Sequence, residues 1–121
     1  MQLSMLKSKI HRATVTEANL AYEGSISICP HLIEAAKFLI HERVEIYNCN
    51  NGERFATYVI RGKEGEICLN GAAARRAHQG DLVIIATYAT MNEEEARSYK
   101  PSVVMVNAEN KIKQPDRVGS F

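Results

Sequence analysis

The chain has no tryptophan, few prolines and few cysteines among its 121 residues, and each shortage narrows what it can be. Cys29, Cys49 and Cys68 are odd in number, widely separated and in no CxxC pair, so neither a disulfide framework nor a zinc motif is indicated. Each is expected to act as a small buried hydrophobe. His11, His31, His41 and His78 show no ligand spacing, so no metal is expected. Fifteen basic side chains face fourteen acidic ones, a net charge of +1. That balance lacks the basic excess of a nucleic-acid binder. No apolar run approaches the ~20 residues of a membrane span. The start, MQLSMLKSKIHR, has no continuous apolar stretch of the kind a secretory signal needs, so a cytoplasmic location is the default expectation. Phosphate-cradle motifs (GxxxxGK[ST], GxGxxG) and the serine elbow GxSxG are also missing.

What remains is a chain of short alternating segments separated by turn signals. MLKSKIHRATVT alternates, placing Lys7, Lys9 and His11 on one strand face and Leu6, Ser8 and Ile10 on the other. CPHLIEAAKFLI changes period, and Pro30 suits the start of a short helix. RVEIYNC, the turn NNGER and RFATYVI predict a hairpin, because Asn-Gly accepts positive φ cheaply. EICLN follows as a strand, and GAAARRA as a helical turn capped by Asn70. LVIIATYA reads as a strand buried on both faces, and NEEEARSY as a brief helix capped by Asn92. SVVMVN reads as the last strand, and the polar tail from about residue 108 is expected to fray. One domain spanning residues 1–121 fits this length. About seven short strands with frequent turns predict a mainly β fold, a small barrel with short helices.

Tyr22-Glu23-Gly24-Ser25 interrupts a stretch, residues 19–28, that otherwise reads as extended. Alone, Gly-Ser is a plain turn. In a strained turn, however, the serine hydroxyl can attack the preceding carbonyl, and glycine reaches the unusual backbone angles this needs. The amide would become an ester, and elimination and hydrolysis would leave a ketone at residue 25. Other groups keep it company. Lys9 and His11 share a face with Lys7, either as a solvated basic edge or as an anion site. Arg54 and Tyr58 share a face of the return strand. Arginine can hold a carboxylate by two parallel hydrogen bonds, and a phenol can deliver a proton. Thr57 points the other way in a regular strand, so its use beside Tyr58 requires a bulge or two walls of one cavity.

Together, KSKIHRATVTEANLAYEGSISI, YNCNNGERFATYVI, NGAAA, GDLVIIATYATM and EEEAR resemble the bacterial pyruvoyl-dependent aspartate 1-decarboxylases over roughly residues 1–105. The resemblance implies a double-psi β-barrel and a homotetramer. It implies cleavage at Gly24–Ser25 into chains 1–24 and 25–121, with a pyruvoyl group made from Ser25 in place of pyridoxal phosphate or a metal. It implies decarboxylation of L-aspartate to β-alanine through a Schiff base, for pantothenate biosynthesis. By matching positions, Ser25 supplies the ketone and Tyr58 the proton. Thr57, Gly71, Ala72 and Ala73 bind substrate, Lys9 and Arg54 meet its carboxylates, and His11, Tyr22 and Asn70 line the site. A maturation helper is compatible with the resemblance, whereas nucleic acid and membrane partners are not expected. Tyr47 and Arg75 depart from common family forms. The alternative class is a binding module that keeps the Gly24–Ser25 bond intact.

Overall fold

The computed structural model describes residues 1–113. Eight strands run in the order β2-β6-β3-β5-β4-β7-β1-β8. They are β1 (Gln2–Thr14), β2 (Glu17–Asn19), β3 (Ser25–Ile28), β4 (Arg43–Asn48), β5 (Arg54–Arg61), β6 (Ile67–Asn70), β7 (Leu82–Asn92) and β8 (Ser102–Met105). Two short helices, α1 (Pro30–Ala36) and α2 (Glu93–Ser98), and a 3-10 turn at Gly71–Arg75 join them. β1 and β2 stand far apart in the strand order but are separated in the chain by only Val15 and Thr16. The Val15 amide donates to Asp81 O before β7, and the next amide, Thr16, donates to Ile67 O of β6. That crossing wraps the sheet onto itself. The protein is a small mainly β barrel with short helices, as its strand pattern predicts.

The barrel interior follows from strand alternation. Ile10, Ile46 and Ile85 stand in one cross-strand row, and all three are fully buried. Ile26, Val59 and Leu69 form a second row and are equally buried. Each such side chain contributes about 1.5–3 kcal/mol by leaving water. β1 slips twice against β7. The first slip lies between Leu6, opposite Tyr88, and Ser8, opposite Thr87, so Leu6 does not share the face of Ser8 and Ile10 as expected. The second comes after Ile10. Ile10 pairs with Ile85 but Ala13 pairs with Val83, so β1 carries one extra residue there. Arg12 takes up the excess at φ 60°.

Several local expectations hold. Pro30 opens α1, and β4 and β5 form the hairpin with Gly52 at φ +76° in its turn. Asn92 caps α2 by accepting from Glu95 N at 2.8 Å. Others are corrected. Residues 20–24 are not extended but form a loop between β2 and β3, in which Ala21 N donates to the Asn19 side chain. β7 is not buried on both faces, since Tyr88 stands in the open while Val83 and Ile85 are buried. Cys29 and Cys68 are buried, but Cys49 is exposed. Residues 108–113, the start of the polar tail, fold back against the barrel. Val106 bridges Ile112, and buried Asn110 ties the turn to the barrel through Thr14 N, Thr14 O and Gly65 O at 2.8, 2.9 and 3.1 Å. The rest of the tail, 114–121, lies outside the described residues. Among the described residues no helix is long and apolar enough to cross a membrane.

Candidate active site

The site begins where β5 loses a neighbour. β4 pairs with Arg54–Tyr58, but β3 reaches β5 only from Val59 onward. A cavity of about 410 Å³ lies against that part of β5. Four consecutive residues, Phe55, Ala56, Thr57 and Tyr58, line it together with Gly24, Ala72, Ala73 and Arg76. Because the cavity meets the strand at its edge, side chains from both faces reach it. Thr57 and Tyr58 therefore share one cavity without a bulge. The Tyr58 ring stands edge-on to the His41 ring, with centroids 5.9 Å apart, which holds the phenol in place.

Ser25 is the first residue of β3 and is almost wholly buried. Its hydroxyl donates to Glu23 O at 3.0 Å and accepts from Asn70 Nδ2 at 3.0 Å. The partnership is set by register, since Ser25 stands opposite Asn70 across β3 and β6. Asn70 does occupy the cap position of the 3-10 turn, but its side chain makes no cap bond there. It bonds Ser25 and Ser27 instead, each at 3.0 Å.

The glycine that the loop before β3 demands is not the one before Ser25. Gly24 has no positive φ, and a Cβ built there meets nothing within 4 Å. Gly71 has φ +65°, and a Cβ on it would lie 2.6 Å from Gly24 N and 2.9 Å from Tyr22 O. The loop thus rests directly on the bare backbone of Gly71, and the small residues Ala72 and Ala73 continue that wall.

The structure brings Gly24, Ser25, Thr57, Tyr58, Asn70, Gly71, Ala72 and Ala73 together. Tyr22 lines a smaller neighbouring cavity with Ser27, Cys68 and Asn70. Arg54 lies one step beyond the lining, its guanidinium 4.3 Å from the centre of the Tyr47 ring. Lys9 is further away. It pairs with Ala86, which pairs with Glu45, which pairs with Ala56 of β5. Three strand spacings amount to roughly 14 Å. His11 lines a separate cavity with Arg12 and Lys113. Burial lowers the pKa of Lys9, and burial with the charges of Lys9, Arg12 and Lys113 lowers that of His11. Sequence reasoning missed two residues. His41 packs on Tyr58, and Arg76 lines the cavity while pairing with Glu53 at 2.7 Å. Arg76 carried a readable signal, being a cation in the turn after GAAA.

A family model described as aspartate decarboxylase matches residues 1–113. The chain belongs to the aspartate decarboxylase family. An aspartate 1-decarboxylase of Bdellovibrio bacteriovorus is 63% identical over 112 residues, covering 93% of this chain and 90% of that protein. The one of Syntrophus aciditrophicus is 64% identical, covering 93% and 99%. That of Cupriavidus taiwanensis is 56% identical, covering 98% and 100%. In this aspartate decarboxylase family member, the matched span takes in the whole cavity and the loop that carries Ser25.

Proposed function

We propose that the chain is an aspartate 1-decarboxylase that makes its own prosthetic group, works as a homotetramer in the cytoplasm and supplies β-alanine for pantothenate synthesis. The observation that carries this reading is a buried serine hydroxyl, held between Glu23 O and Asn70 Nδ2, directly after a glycine that lines a cavity shared with Tyr58. Ser25 Oγ adds to the Gly24 carbonyl carbon, the C–N bond is exchanged for an ester C–O bond, and the hydroxyl proton passes to the nitrogen of residue 25, which becomes a free amine. Loss of the Gly24 carboxylate with the α-proton of residue 25 leaves a dehydroalanine. Its tautomer takes up one water and releases one ammonia, leaving a ketone. The surroundings fit that group, because the Gly71 cradle leaves no room for a side chain against the loop.

Once made, the ketone supplies an electron sink for an amino acid losing its carboxyl group, the role otherwise filled by pyridoxal phosphate. The chain's own groups bind and orient the substrate. Thr57 and the small residues Gly71, Ala72 and Ala73 form the wall where it lies. Arg54 and Lys9 serve its carboxylates, and Arg76 is a further cation already at the cavity. Tyr58 holds a phenolic proton for the carbon that loses carbon dioxide.

The test is a mass spectrum of the denatured protein. Cleavage converts 13.5 kDa into fragments of about 2.7 and 10.8 kDa, the larger lighter by one ammonia than a fragment beginning with serine. Ser25→Ala should stay whole and make no β-alanine; a cut at Gly24 in that variant would sink the chemistry. Tyr58→Phe should be cut yet lose turnover by about 10²-fold or more, and near-normal turnover would remove Tyr58 from its role.

A further inference from the structure

Asn70 stands between two kinds of partner, and the direction of each hydrogen bond is fixed. A carbonyl oxygen can only accept, so the bond from Ser25 to Glu23 O uses the hydroxyl hydrogen of Ser25. The Ser25 oxygen is then left to accept, and the group facing it must be the amide nitrogen of Asn70. The second hydrogen of that nitrogen goes to Ser27 Oγ at 3.0 Å. Asn70 Oδ1 is thereby turned toward Cys68 Sγ, 3.2 Å away, where only an S–H can satisfy it.

Strand register builds this arrangement. Ser25 opposes Asn70 and Ser27 opposes Cys68 across β3 and β6, and residues two apart share a face. The four side chains form a square, and all four residues are buried. We propose that Cys68 is a positioning residue for self-processing: its S–H locks the Asn70 amide with its nitrogen on Ser25 Oγ, holding that oxygen for addition to the Gly24 carbonyl. This rests on the self-cleaving reading above.

The surroundings keep the thiol a donor. Burial, and after it the charges of Glu17 and Glu66, pushes the Cys68 pKa up to about 11, so it is protonated at neutral pH. An ionised sulfur would repel Oδ1 and attract the amide nitrogen, turning Asn70 over. A nitrogen turned away from Ser25 would leave Oδ1 facing an oxygen whose only hydrogen is already given to Glu23 O. An apolar residue at 68 would leave Oδ1 unsatisfied and the amide free to turn.

The experiment compares wild type with Cys68→Thr, Cys68→Val and Cys68→Ala. Valine and threonine have nearly one shape and differ by the hydroxyl donor. The cut fraction is followed by denaturing mass spectrometry during warm incubation, and folding is checked by thermal unfolding. Threonine should keep cleavage near the wild-type rate, whereas valine and alanine should slow it roughly tenfold or more, as when a donor to a reacting group is misplaced. Whichever apolar variant folds carries the comparison. Cleavage of a folded valine or alanine variant at the wild-type rate overturns the assignment. Equal slowing of threonine and valine also overturns it, because the donor then does not matter. A wild type that stays whole through warm incubation, with cell extract added to supply any maturation helper, overturns the self-cleaving reading itself, and this inference with it.

Discussion

Gly71 and His11 show how single residues constrain this chain in ways a motif does not display. Gly71 combines a left-handed backbone with a loop atom where its Cβ would be. Gly71→Ala should therefore lose about 1–3 kcal/mol of stability and also shift the loop that presents Gly24–Ser25. Thermal unfolding reads the first effect and the cut fraction reads the second; normal cleavage in a destabilised variant would confine Gly71 to a structural role. His11 is held below its ordinary value of 6.5 first by burial and then by Lys9, Arg12 and Lys113. Folded, it binds fewer protons than unfolded, so its contribution is complete above 6.5 and is lost as pH falls from 6.5 through the folded pKa. His11→Asn should lose less melting temperature than wild type between about pH 7 and about pH 5. Equal losses would show that another group carries the acid sensitivity.

The strands divide into those whose sequence declares them and those that only pairing reveals. β4 and β5 were readable because alternation and an Asn-Gly turn agree, and β7 was readable as a strand because β-branched residues fill it. Its core face makes a plain prediction. Ile85 stands between Ile10 and Ile46 in the barrel interior, so Ile85→Ala should cost about 2–5 kcal/mol in denaturant unfolding. A loss below 1 kcal/mol would mean that the barrel closes over the gap. What the sequence did not disclose depends on contacts far along the chain. β2 is three residues of polar character whose strand form comes from β6 beside it. The bulge at Arg12 exists because β1 must follow β7 and then cross to β6. The cap expected from Asn70 is not made, because Ser25 and Ser27 across the sheet outbid the local turn. At the site, Ser25, Thr57 and Tyr58 were legible as types in a pattern. Their common cavity was not, since it arises from β3 starting too late to cover the first half of β5.

At the scale of the whole molecule, one chain does not place all the expected cations around one cavity. Tyr58 lines it with Gly24, while Lys9 lies three strand spacings away, roughly 14 Å along the sheet. Leu20 and Tyr22 in the loop before β3 and Leu39 and Ile40 after α1 are exposed apolar side chains. A homotetramer accounts for both features if a neighbouring copy covers the apolar surface and brings Lys9 to the cavity. Native mass spectrometry should then find an assembly of about 54 kDa, four times the chain mass of 13.5 kDa. Complementation tests the shared site more sharply. Lys9→Ala and Tyr58→Phe should each abolish most β-alanine production when expressed alone. Co-expressed, they form mixed assemblies in which some cavities join an intact Tyr58 to an intact Lys9 from the other chain. Those assemblies should regain up to about a quarter of wild-type turnover, the share of cavities that draw both intact residues by chance. No regain in assemblies shown by mass to be mixed would place Lys9 and Tyr58 of each working site on the same chain.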